Sequence, residues 1–163
     1  MSDHDADLRQ ALELAVYREI GARNFYGRIA GIIRNPEGKN RFRQLSEDED
    51  GHRKKLASWF EKLFGEAFVE KADRVEESEI PGMALDERTS AIEALDIAIK
   101  AEAKANEFYT KQAELAGDPG LAQLFSELAE EERGHYTLLE AERNSLIGGF
   151  YWFDMDSTSF LED

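Results

Sequence analysis

Apolar positions recur along this chain at the spacing of a helix. Leu8, Leu12, Ala15, Glu19, Ala22, Tyr26, Ile29 and Ile33 follow one another by four, then three residues, which places them on one face of a long helix. Asn35-Pro36 ends it, because a residue before proline is pushed out of the α region and proline suits the first turn of a new helix. Phe42, Leu45, Glu49, His52, Leu56, Trp59 and Leu63 keep the same spacing on a returning helix, and Gly65 supplies its C-cap. The pattern then lapses from Gly65 to Leu85 into mixed charged sequence containing Pro81-Gly82, which reads as a long crossover along a bundle. A third stripe carries Ala91, Leu95, Ala98, Glu102, Ala105, Tyr109 and Ala116. After Gly117-Asp118-Pro119, a fourth carries Leu121, Phe125, Leu128, Glu132, His135, Leu139 and Leu146 and stops at Gly148-Gly149.

The two halves repeat. A shift of 83 residues converts Ala15, Glu19, Phe25 and Tyr26 into Ala98, Glu102, Phe108 and Tyr109, and Phe42, Glu49, Gly51 and His52 into Phe125, Glu132, Gly134 and His135. One helical hairpin is used twice. The expected fold is all-α: over residues 1–149 an antiparallel four-helix bundle built from two hairpins with a long crossover, and at 150–163 an aromatic and acidic tail. The Phe150-Tyr151-Trp152-Phe153 cluster in that tail is expected to pack on the bundle or on a partner subunit.

Four glutamates and two histidines stand where the stripes reserve core positions, and unpaired charges there would cost several kcal/mol each. Glu19 and Glu49 lie 16 and 14 residues from Asn35, so at 1.5 Å per residue both sit about 21 to 24 Å from the turn. Glu102 and Glu132 straddle Gly117 by 15 residues each. All four therefore meet at one level. Within each Glu-x-x-His pair the side chains stack one turn apart and can share a metal. Two divalent cations cancel the charge of four carboxylates. Carboxylate oxygen with imidazole nitrogen suits iron or manganese, and zinc fits the same donor set.

Composition narrows the chemistry. With no cysteine, thiolate zinc sites, iron–sulfur clusters, disulfides and cysteine nucleophiles are excluded. A formal charge of −15 disfavours nucleic acid and anionic membrane surfaces as partners. The acidic, polar residues Met1 to Arg9 do not read as a signal peptide, and no run is long enough to span a membrane, so a cytoplasmic protein is expected.

One Glu on each odd helix and Glu-x-x-His on each even helix is the ligand pattern of ferritin-like di-metal proteins. From Leu8 to Leu146 the chain resembles the rubrerythrin-related branch, in the Glu-Asp-Gly-His of 49–52 and the Phe-Tyr pairs at 25–26 and 108–109. It departs from rubrerythrin proper in having Ala105 where a further Glu is expected, and in lacking a cysteine-rich rubredoxin tail; the remaining set is similar to bacterioferritin-type sites. The resemblance implies two iron ions held by Glu19, Glu49, His52, Glu102, Glu132 and His135. It implies bridging carboxylates from Glu49 and Glu132, with terminal ones from Glu19 and Glu102. It further implies oxidation of bound Fe(II) by peroxide or dioxygen, a separate electron donor, and a homodimer or higher homo-oligomer. Iron storage after a ferroxidase step and a metal-stabilised structural module are the alternatives.

Tyr26 and Tyr109 follow Glu19 and Glu102 by seven residues and are candidate hydrogen-bond partners of the ligand carboxylates, with packing or electron relay as other roles. Gly51 and Gly134 are expected to permit close helix approach. The runs Glu47-Asp48 and Glu130-Glu131 read as solvated surface, or as a funnel for cations. His4 lies in a terminus expected to fray and is not read as a ligand.

Overall fold

The computed structural model describes residues 2–80 and 91–147; among them are five helices and no strand. Helix α1 (Asp3–Ile32) starts earlier than the apolar stripe. Ser2 and Asp5 close a capping box, in which Ser2 Oγ accepts from the Asp5 amide and the Asp5 carboxylate accepts from the Ser2 amide. The first residues, His4 included, are thus helical where fraying was expected. Helix α2 (Pro36–Phe64) begins with Pro36 behind Asn35, whose side chain accepts from the amides of Glu37 and Gly38. It ends at Gly65, which adopts the left-handed conformation at φ 71° that only glycine enters without strain.

The crossover is not featureless: a short helix, α3 (Ala72–Glu77), interrupts it. Six residues are too few to show a period, so the sequence pattern could not reveal it. The crossover lies against α1. The Lys71 amide donates to Tyr17 Oη at 3.0 Å, and a Cβ added to Gly21 would lie 2.2 Å from the Ser78 carbonyl oxygen. Gly21 is therefore glycine because backbone passes directly over it. Helices α4 (Ala91–Leu115) and α5 (Pro119–Ile147) form the second hairpin. At their turn Asp118 caps α5 by accepting from the amides of Gly120 and Leu121. The expected stop at Gly148-Gly149, the Pro81-Gly82 step and the aromatic tail lie outside the described residues.

Two apolar clusters fill the bundle, and their membership fixes how the hairpins are arranged. One joins Phe25, Ile29 and Phe42, near the α1–α2 turn, to Leu95 at the start of α4 and Leu146 at the end of α5. The other joins Leu12 and Phe60, at the open end of the first hairpin, to Tyr109, Leu121 and Phe125 near the α4–α5 turn. The hairpins thus pack head to tail, as a repeat related by a two-fold axis requires. This is the ferritin-like arrangement: α1 touches α4 and α2 touches α5, and the crossover joins α2 to α4, which runs parallel to it diagonally across the bundle. Among the described residues no helix is long and apolar enough to cross a membrane.

Candidate metal centre

Between the two apolar clusters lies a layer of charge. Glu19, Glu49, His52, Glu102, Glu132 and His135 are all buried, Glu49 completely. The structure brings all six sequence-predicted ligands together in two overlapping groups: Glu19, Glu49, His52 and Glu132, and Glu49, Glu102, Glu132 and His135. In each, one ligand atom from every residue lies within 4.8 Å of the others. Glu49 and Glu132 belong to both groups, which is the placement a bridging carboxylate needs.

The hydrogen bonds divide each side chain into an occupied side and an open side. Tyr109 Oη donates to Glu19 Oε1 and Tyr26 Oη donates to Glu102 Oε1, so each tyrosine reaches across to the other hairpin. Burial, reinforced by the neighbouring carboxylates, pushes both phenols well above their ordinary value of 10, so they remain donors. The opposite oxygens, Glu19 Oε2 and Glu102 Oε2, are buried without a hydrogen-bond partner, as are both oxygens of Glu49 and Glu132 Oε1. One open oxygen suits a terminal ligand; two on Glu49 suit a bridge.

The histidines are divided in the same way. His52 Nε2 contacts Glu131 at 2.5 Å and His135 Nε2 contacts Asp48 at 3.1 Å, each acid coming from the other hairpin. Both Nδ1 atoms face inward, 3.0 Å from Glu132 Oε1 for His52 and 2.9 Å from Glu49 Oε1 for His135, yet neither has an aligned hydrogen bond. A proton held on Nε2 by the outer acid leaves the Nδ1 lone pair directed into the layer. Open carboxylate oxygens and imidazole nitrogens converging on one water-poor space are what a pair of divalent cations would satisfy. The donor set therefore fits two metal ions.

Without metal the layer must hold protons. Burial and the carboxylates around them push Glu49 and Glu132 well above the ordinary 4.5. Burial also acts on Glu19, but the close approach of Glu49 and His52 and the hydrogen bond from Tyr109 outweigh it and hold that carboxyl lower. For the histidines burial opposes charge, but the surrounding carboxylates prevail, raising His52 strongly and His135 to about 9.

Asp48 and Glu131 were read as surface, yet they orient the two histidines. The available signal was their relation by the same 83-residue shift, immediately before the two ligand glutamates. Gly51 and Gly134 do not serve close helix approach: a Cβ added to either meets nothing within 4 Å. His4 lies on the first turn of α1, at the far end of that helix from its hairpin turn.

The rubrerythrin family model matches residues 10–143. Among solved structures, a hypothetical protein from Pyrococcus furiosus is similar at 27% identity, with a TM-score of 0.71 over 92% of this chain and 96% of that chain. A wild-type manganese catalase from Anabaena, KatB, is similar at 19% identity, with a TM-score of 0.67 over 92% of this chain and 80% of that one, a likeness of fold. No curated protein matches the chain.

Proposed function

The chain belongs to the rubrerythrin family, and on that premise we propose that it is a di-iron carboxylate oxidoreductase that oxidises bound Fe(II) with peroxide or dioxygen. The observation that carries this reading is the sharing of Glu49 and Glu132 by two ligand groups, because shared carboxylates hold two metals close enough to act on one small molecule. Two iron ions held there by Glu19, Glu49, His52, Glu102, Glu132 and His135 would supply the two electrons that breaking an O–O bond requires. Glu49, with both oxygens open, can redistribute its charge between the two groups. Tyr26 and Tyr109 hold one oxygen of Glu102 and Glu19 in place, and Asp48 and Glu131 keep the imidazoles from turning. The apolar clusters above and below the layer exclude bulk water and leave these charges strongly felt. A homodimer or higher homo-oligomer is expected.

Stopped-flow absorbance of the Fe(II)-loaded protein mixed with peroxide, and separately with dioxygen, tests the proposal. Oxidation faster than that of free Fe(II), lost in Glu49→Ala, is expected. Oxidation no faster than that of free iron would leave an inert structural site, and a closed cage on a sizing column would favour storage.

A further inference from the structure

The two hairpins repeat in sequence, but their outer faces are not treated alike. On the first hairpin the outer face carries the crossover. Phe68 packs its ring 5.4 Å from Tyr17, Glu70 pairs with Arg53 at 3.3 Å, and the Ser78 carbonyl sits on Gly21. Beneath it Arg23 reaches Asp50 at 3.0 Å and Ile20 is fully buried; Arg23, Gly27, Ser46 and the crossover's Glu79 line what remains of the furrow between α1 and α2, about 500 Å³. On the second hairpin the matching furrow between α4 and α5 is larger. It has a volume of about 780 Å³; Ala103, Thr110, Ala113, Ser126 and Ala129 form its small-residue lining, with Glu114, Glu130, Arg133 and Tyr136 beside them.

The 83-residue shift says what stands in the crossover's place. Residues 148–163, which follow α5, correspond to residues 65–80, the described stretch of crossover that follows α2. Bulk is exchanged between the two copies. Ile20, Arg23 and Arg53 in the walls of the first furrow become Ala103, Asn106 and Tyr136 in the second. Ala67, Phe68, Val69 and Glu70 in the covering segment become Phe150, Tyr151, Trp152 and Phe153. Two of these three wall positions shrink, at Ala103 and Asn106, and three of the four covering positions gain an aromatic ring, at Phe150, Trp152 and Phe153. Two cations appear near the furrow at positions where the first hairpin has none: Tyr17 and Gly21 become Lys100 and Lys104, while the tail carries Asp154, Asp156, Glu162 and Asp163.

We propose that the chain's own residues 148–163 occupy the α4–α5 furrow, the aromatic run covering it as the crossover covers the outer face of the first hairpin. Removing several large aromatic rings from water supplies the drive, since each buries on the order of 150–250 Å². The acidic end of the tail then meets Lys100 and Lys104. The larger furrow is in this sense the unfinished half of a symmetric design, and the tail completes it without a partner protein.

The chain has no cysteine, so introduced pairs report proximity directly. The crossover contacts Gly21–Ser78 and Arg53–Glu70 translate into Lys104–Leu161 and Tyr136–Phe153. Under mild oxidation of the full-length chain, K104C/L161C and Y136C/F153C should form intrachain disulfides at least about tenfold faster than K54C/L161C, whose α2 cysteine lies on the other hairpin. Equal rates would overturn the proposal. So would disulfides joining heavy- and light-isotope chains in a mixed sample, which would place a second copy in the furrow. For any pair that does not fold, W59F leaves Trp152 as the sole tryptophan: resistance to acrylamide quenching that is independent of protein concentration supports the docked tail. Quenching like that of free tryptophan, or resistance lost on dilution, contradicts it.

Discussion

The two carboxylates at the ends of the central layer have one task on each side. Glu19 and Glu102 each give one oxygen to a tyrosine from the opposite hairpin and keep one open, so the tyrosine decides which oxygen can ligate. Replacing Tyr26 or Tyr109 by Phe leaves that oxygen buried and unsatisfied, which costs about 1–3 kcal/mol. Urea unfolding of the metal-free protein should show this loss for each variant. An unchanged midpoint would mean that the hydroxyls contribute nothing to holding the glutamates. The six ligands were legible because charge on an apolar stripe breaks the rule that builds the stripe. Asp48 and Glu131 were not, because an acid beside a ligand glutamate on an acidic helix looks like solvated surface. Only the fold shows that it crosses to the imidazole of the other hairpin.

At the scale of the helices, four of the five elements were written in the 4,3 spacing, and their ends in Asn35-Pro36, Gly65 and Asp118-Pro119. The capping box at Ser2 and the short α3 escaped, the first because two polar residues suffice to extend a helix past its apolar stripe, the second because one turn and a half has no period. The glycines before the histidines mark where local propensity and structure disagree. Each sits inside a helix, where glycine costs roughly 1 kcal/mol relative to alanine, and neither has a neighbour that a methyl group would touch. Gly51→Ala and Gly134→Ala should therefore each stabilise the protein by about 0.5–1 kcal/mol, read as a higher urea midpoint at unchanged m-value. A loss of stability in either would show that its bare backbone is required by the fold.

For the whole molecule, the layer makes stability depend on pH with a sign set by the metal. In the metal-free protein Glu49 and Glu132 keep protons that the unfolded chain releases near 4.5, and His135 keeps its proton up to about 9 where the unfolded chain releases it near 6.5. His52 acts in the same direction. Each is a raised pKa, so its stabilising contribution is present below the unfolded value and drains away as pH rises towards the folded one. Glu19, held lower, is ionised in both states across this window and adds no slope. Metal-free stability should thus fall from pH 5.5 to 7.5. Metal binding favours the charged carboxylates and neutral imidazoles, so the gain in Tm on loading should be larger at pH 7.5 than at pH 5.5. A gain that is absent at pH 7.5, or larger at pH 5.5, would contradict the assignment of these groups to one buried site.

The central claim is that six residues hold two metal ions through two shared carboxylates, and anaerobic titration with Fe(II) tests it most directly. The intact chain should bind two ions, as its two ligand groups require. Glu19→Ala, which touches one group, should retain one ion tightly, whereas Glu49→Ala, which touches both, should weaken both. An intact protein that takes up one ion or none, or a Glu49→Ala variant that still binds two with undiminished affinity, would contradict the account.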